Sequence, residues 1–116
     1  MDWKQLLLTY EGRISRQPYW IGSLALVAVV IVVQLVAFAA LGETSGSILG
    51  VVAQLAILYP AICVSIKRWH DRNKSGWWVL IGLIPIIGGI WTLVECGFLR
   101  GTSGANDYGA DPLASA

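Results

Sequence analysis

Charge is scarce in this chain. Charged residues make up 13% of its 116 residues, and hydrophobic residues make up 56%. Soluble domains carry about 25% charged residues, so this composition indicates a single membrane domain. The few basic residues cluster at the ends of apolar runs and form no basic face. The sequence therefore excludes nucleic acid as a partner.

Histidine and cysteine are also scarce, with one His and two Cys. One His and two distant Cys cannot assemble a zinc site, and nothing else in the sequence predicts a metal or a cofactor. In a helical membrane protein, the spacing of Cys63 and Cys96 predicts a separation of most of the bilayer thickness. We therefore expect two unpaired, buried cysteines rather than a disulfide.

Long apolar runs are what the chain does contain. Three of these runs are long enough to form a helix of about 20 residues across the hydrocarbon core, at residues 20–41, 47–66 and 77–99. The first run is too long for a cleaved signal peptide. The sequence thus predicts an all-α protein with three transmembrane helices. Pro85, Gly88 and Gly89 should bend or unwind the third, and a re-entrant hairpin is the alternative there.

The two ends of the chain are less apolar. Residues 1–19 form a lead in which Trp3, Leu6, Leu7 and Tyr10 recur at helical spacing, which predicts a short amphipathic helix at the membrane interface. We expect Gly12 to end this helix. Residues 100–116 form a structured polar tail, in which side-chain turns explain Asn106, Asp107 and Asp111 better than a calcium site does.

Basic residues define the predicted topology. Three of the eight precede residue 20 and four lie in the loop at residues 67–76, so both segments should be cytoplasmic. The link at residues 42–47 has no basic residue and should lie on the opposite side. Three full spans would place the tail on that opposite side as well. We expect Ser75 or Asn73 to cap the helix that follows the loop.

The cytoplasmic segments supply the candidate site. Arginines at a membrane interface attract anionic headgroups, so they could share a headgroup pocket. The competing interpretation is that these charges only set topology and bond helix ends. Neighbours in sequence rarely face each other, so we do not expect His70 and Asp71 to be a catalytic pair. The candidate headgroup-binding residues are Arg13, Arg16, Arg68, His70, Asp71 and Arg72.

A second candidate interaction lies within the spans. Gln34 and Gln54 are lone amides in apolar runs, where an unsatisfied polar group is costly. Their helical positions reach similar depth on neighbouring antiparallel spans. We expect them to hydrogen-bond with each other, or to share Trp91 or Thr92 of the third segment.

The chain contains a set of short motifs: Gly12-Arg13-Ile14-Ser15-Arg16, Tyr19-Trp20, Lys67-Arg68-Trp69-His70-Asp71, Ser75-Gly76-Trp77-Trp78, Ile84-Pro85 and the tail segment 104–112. Taken together, these motifs resemble the bacterial inner-membrane proteins called "domain of unknown function 805". The resemblance covers nearly the whole chain, with Trp69 at a position where the family has Leu. It implies a small multi-pass protein of the bacterial inner (plasma) membrane and no known activity.

These observations favour a non-enzymatic membrane module. We expect it to bind anionic membrane lipids or a membrane-protein partner. The alternative is a subunit of a small transporter or channel, which would have to be a homo-oligomer because three short spans rarely enclose a pathway. The scarcity of ionisable groups within the spans weakens that alternative. An enzyme acting on lipid at the interface ranks third.

Overall fold

The computed structural model describes residues 2–113, which form helices joined by short segments and end in a non-helical tail at residues 99–113. No strand occurs among them, apart from one isolated bridge between Asn106 and Gly109. The all-α prediction is therefore confirmed for this part of the chain. The elements are α1 (Trp3–Leu8), α2 (Arg16–Asp71), a 3-10 helix (Gly76–Leu83), α3 (Ile87–Thr92) and a π-helix (Leu93–Phe98).

Helix α2 folds back on itself at Gly42, where φ is +81° and the helical dihedral angles are interrupted. A straight helix of this length would extend about 84 Å, whereas the longest dimension of the molecule is 51 Å. Gln34 meets Gly46 and Gly50, and Gly22 meets Val64, so the two halves run antiparallel. We call residues 16–41 the first arm and residues 43–71 the second arm.

The predicted spans 20–41 and 47–66 lie inside these two arms. The expected six-residue link is wrong, because the turn is made at Gly42 alone and residues 43–47 are already helical. Positive φ is accessible to glycine without steric cost, which allows so short a turn. Gly46 and Gly50 are buried against the first arm, where a Cβ at Gly46 would lie 2.7 Å from Phe38 Cδ1.

The N-terminal helix packs across the start of the first arm and the end of the second. Asp2 caps it by accepting from the backbone N–H groups of Lys4 and Gln5. Leu6 is buried with Ile14 and Val64. The predicted helix is confirmed, although it ends at Leu8 rather than at Gly12.

The third apolar run is a second hairpin rather than the single helix expected for residues 77–99. The chain reverses at residues 84–86, where Pro85 lacks an N–H donor and Ile86 has a φ of +65°. The Trp78 and Trp91 ring centroids lie 6.2 Å apart across this hairpin. Its first limb, the 3-10 helix, is about 16 Å long, which is half of the hydrocarbon thickness.

Ser75 occupies the cap position before the 3-10 helix, as expected, but its side chain makes no capping hydrogen bond. The break predicted around Pro85 is confirmed. The expectation of three full spans is corrected to two long arms and one short hairpin. Among the described residues, one helix, α2, is long and apolar enough to cross a membrane, and its apolar side chains face outward.

Candidate functional site

Asp71, at the end of α2, is the centre of a buried ion cluster. Its Oδ1 accepts from Arg13 Nε at 2.8 Å and its Oδ2 accepts from Arg68 Nη1 at 2.5 Å. All three side chains are at most 3% exposed. Buried charges are stable only when they are paired and hydrogen-bonded, so this cluster holds the residues around it in place. We call Arg13, Arg68 and Asp71 the Asp71 clamp.

The remaining donors of the clamp go to backbone carbonyl groups. Arg68 Nε donates to the Cys96 carbonyl at 2.7 Å and Nη2 donates to that of Leu99. These carbonyls lie at the end of the second hairpin, where helical carbonyl groups lack partners within the helix. Arg68 therefore ties the second hairpin to the second arm.

Arg13 ties the polar tail to the same end. Its Nη1 donates to the Gly104 carbonyl at 2.9 Å and its Nη2 to the Thr102 carbonyl at 2.5 Å. The Thr102 N–H in turn donates to the Asp71 carbonyl at 2.7 Å. Gly101 lies so close to Asp71 Oδ2 that a Cβ would collide with it.

His70 faces away from Asp71. Its Nδ1 lies 2.8 Å from the Gly12 carbonyl, and its ring stacks on Tyr108 with centroids 3.9 Å apart. The Asn106 side chain donates to the His70 carbonyl and accepts from the Tyr108 N–H. His70 and Asp71 thus serve different partners and do not form a pair.

A second ion cluster surrounds Glu95 in the π-helix. Its Oε1 accepts from Lys74 Nζ at 2.5 Å and from Arg72 Nη2 at 3.2 Å, and its Oε2 accepts from Trp91 Nε1 at 2.7 Å. Lys74 Nζ also lies 4.7 Å from the Trp78 ring centroid, which is cation–π distance. This cluster joins the second hairpin to the loop after α2.

Two exposed basic side chains lie beside these clusters, at the end of the second hairpin. Arg16 is exposed and donates one hydrogen bond, from Nη1 to the Phe98 carbonyl at 2.9 Å. Arg100, two residues after Phe98, is also exposed, and its backbone carbonyl accepts from Arg72. We call Arg16 and Arg100 the basic rim, because both lie at the edge formed by residues 98–100.

An apolar groove opens on a different side of the same end, with a volume of about 750 Å³. It lies between the second arm, the start of the 3-10 helix and the loop after α1, and Tyr108 of the tail borders it. We call it the interfacial groove. Its walls include Ile62, Ile66, Val79 and Leu80.

The sequence matches one protein family over residues 7–110, described as "Protein of unknown function (DUF805)". The chain belongs to the DUF805 family. It is 37% identical to "Inner membrane protein YhaI" of Escherichia coli (strain K12) over 107 residues, covering 89% of this chain and 85% of that protein. It is 32% identical to "Inner membrane protein YhaH" of the same strain over 119 residues, covering 97% of each. No solved structure matches the chain.

Of the six candidate headgroup residues, this DUF805 chain brings Arg13, Arg68 and Asp71 together as the clamp. Arg72 joins the Glu95 cluster instead, His70 joins the tail, and Arg16 stays at the exposed edge. The expected arrangement of all four arginines around one pocket is wrong, because three of them donate to acceptors inside the protein. Arg13, Arg68 and Arg72 instead fit the competing interpretation, in which the basic side chains form hydrogen bonds within the protein.

The predicted pairing of Gln34 with Gln54 is wrong. Gln34 Nε2 donates to the Gly46 carbonyl at 3.1 Å, and its amide packs against Gly50. The one-residue turn at Gly42 sets this register, which leaves Gln54 one helical turn away and exposed. Trp91 donates to Glu95 rather than to either glutamine.

The cysteines are free and buried, as predicted. Their predicted separation by most of the bilayer is wrong. The second hairpin returns Cys96 to the polar end, where the Cys96 carbonyl accepts from Arg68. Arg68 is only five residues beyond Cys63 in the second arm, so the two cysteines lie near the same end. Sequence reasoning also missed Lys67, whose buried ammonium donates to the Gln5 and Leu6 carbonyls at the end of α1. In sequence, a lysine directly after an apolar run looks the same whether it bonds the end of another helix or only sets membrane topology.

Proposed function

We propose that the protein is a non-enzymatic inner-membrane module that binds anionic lipid headgroups at its basic rim. Two membrane-crossing arms would carry the polar end, and the second hairpin would enter and leave the membrane on one side. The inner-membrane location is supported by its relatives, which are inner membrane proteins.

The placement of the basic residues supports this topology. The loops after α1 and α2, the tail and the end of the second hairpin meet at the Asp71 clamp. Arg100 therefore joins the seven other basic residues at one end, while Glu43 is the charged residue beside the turn at Gly42. Under the positive-inside rule, the clamp end faces the cytoplasm and the Gly42 turn faces the periplasm.

The observation that carries the ligand proposal is that some arginines use their hydrogen-bond donors inside the protein, whereas others keep them exposed. Arg13 and Arg68 spend their donors on Asp71 and on carbonyl groups, so they have little capacity for a ligand. Arg16 and Arg100 keep exposed guanidinium groups at the level where a helix leaves the apolar region. Cations in that position attract anionic lipid headgroups.

Native mass spectrometry of the gently extracted protein tests this function, with phosphatidylglycerol as the probe. The changes Arg16→Gln and Arg100→Gln should each lower lipid retention about fivefold. Lys4→Gln is the matched control, since it removes an exposed cation from α1. Equal retention in all variants would overturn the proposal.

A subunit of a small transporter or channel is the second candidate. Hairpins that interrupt a membrane segment are typical of proteins that line a cavity, and Glu95 is a buried acid within the second hairpin. This candidate requires a homo-oligomer. A defined ring-like assembly in the same mass spectra would favour it over the lipid-binding module.

A further inference from the structure

The interfacial groove extends from the polar end of the molecule toward the apolar region. Ile62, Ile66 and His70 recur at intervals of four residues, so they lie on one face of the second arm. This stripe covers about 12 Å along the helix axis. The groove thus has a polar mouth and an apolar floor, which is the polarity of a lipid headgroup followed by its acyl chain.

The mouth of the groove differs in charge from the basic rim. Among the described residues that line it, Glu11 is the one carboxylate, and neither Lys nor Arg is present. Glu11 is exposed and takes part in none of the ion pairs described, which involve Asp71 and Glu95. Glu11 therefore favours a headgroup with a cation at the mouth over a headgroup that carries only negative charge.

Aromatic rings surround the same mouth. Tyr10 is 56% exposed and Trp77 is 79% exposed, and both line the groove together with Tyr108. A cation near the face of Trp or Tyr is attracted by the negative face of the ring, and aromatic cages recognise ammonium groups in this way. One carboxylate and three aromatic rings together can accept an ammonium group.

We infer that the interfacial groove binds a phospholipid whose headgroup carries an ammonium group, with phosphatidylethanolamine as its simplest representative. The ammonium group contacts Glu11 and the aromatic rings at the mouth. One acyl chain lies along Ile62, Ile66 and Leu80. This site is separate from the basic rim in position and in charge preference, and it does not rest on the function proposed for the rim.

The test titrates the purified full chain in detergent with phosphatidylethanolamine or, separately, phosphatidylglycerol, and measures the bound lipid by native mass spectrometry. Glu11→Gln should lower phosphatidylethanolamine retention about fivefold and leave phosphatidylglycerol retention unchanged. Glu43→Gln is the control, because it removes an exposed carboxylate at the Gly42 turn. Unchanged phosphatidylethanolamine retention in Glu11→Gln, or parallel loss of both lipids, overturns the inference.

A second pair of variants tests the apolar floor independently. Leu80→Trp should fill the groove and reduce phosphatidylethanolamine retention. Leu83→Trp lies in the same 3-10 helix but outside the groove lining, and it should have no effect. Equal retention in these two variants also overturns the inference. If the rim proposal alone were wrong, phosphatidylglycerol retention would be unchanged by Arg16→Gln and Arg100→Gln.

Discussion

At the scale of single residues, Asp71 has the largest structural role. Within residues 2–113, its carboxylate is the one anionic partner of Arg13 and Arg68, and all three groups are buried. Two cations and one anion leave an excess positive charge, which the carbonyl groups of Thr102, Gly104 and Cys96 offset. An arrangement of this kind depends on every partner being present.

We predict that Asp71→Asn destabilises the protein by about 3–5 kcal/mol, because it leaves two buried guanidinium groups without a counter-charge. Thermal unfolding followed by circular dichroism in detergent measures this loss. The control Glu43→Gln removes an exposed carboxylate and should change stability by no more than about 0.5 kcal/mol. Similar unfolding temperatures for the two variants would contradict a structural role for the clamp.

The tail contains a residue with a predicted pH response. Asp111 accepts from the Leu113 N–H and from the Gly104 N–H, and these bonds lower its pKa below the ordinary value of 3.8. A lowered pKa means that the charged form stabilises the turn. This contribution is fully present above pH 3.8 and is lost as the pH falls through the lowered pKa.

We therefore expect the Gly104 and Leu113 amide resonances to titrate together with a midpoint below 3.8. Nuclear magnetic resonance of the protein in micelles measures this midpoint. Asp111→Asn should abolish the titration. A midpoint at or above the ordinary value would show that these hydrogen bonds do not hold the carboxylate in solution.

At the scale of elements, the turn at Gly42 sets the register of the two arms. The register places Gly50 opposite Gln34, so the amide fits only where no Cβ is present. Small residues allow this close approach between helices, and the Gln34 hydrogen bond to Gly46 adds to the contact.

We predict that Gly50→Ala destabilises the arm pairing by about 1–3 kcal/mol, since the new methyl group overlaps the Gln34 amide. Adding Gln34→Ala should recover much of this loss, and a double-mutant cycle measures the coupling. Gly82→Ala is the control, because a Cβ there meets open space. Additive effects of the two changes would mean that Gly50 and Gln34 do not touch.

The second hairpin is held by contacts at its base. Trp20 Nε1 donates to the Gly97 carbonyl at 2.8 Å, and the Glu95 cluster closes the opposite side. The Trp20 indole N–H, the Gly97 carbonyl and the Glu95 carboxylate, which would be costly in lipid, are thereby satisfied within the protein. The tip, with Ile86 and Leu83 about four-fifths exposed, is apolar and suits a lipid environment.

At the scale of the whole molecule, the two hairpins bring both ends of the described chain to the clamp end. We predict that Ser103→Cys labels with a membrane-impermeant thiol reagent from the cytoplasmic side and Ser45→Cys from the periplasmic side. Both serines are exposed, whereas the native cysteines are buried. Labelling of both positions from one side would contradict two spanning arms. Labelling of Ser103→Cys from the periplasm would restore three full spans.

The sequence by itself determined the class of protein, its family and the positions of its breaks. Apolar runs, basic clusters and Pro85 suffice for this to within a few residues, because hydrophobicity and backbone freedom are local properties. That the turn between the arms is made at Gly42 alone came from the structure. Only the tertiary structure decided that Arg68 is buried while Arg16 is exposed. Both are arginines beside an apolar run, and their roles depend on which carbonyl groups the second hairpin returns to that end.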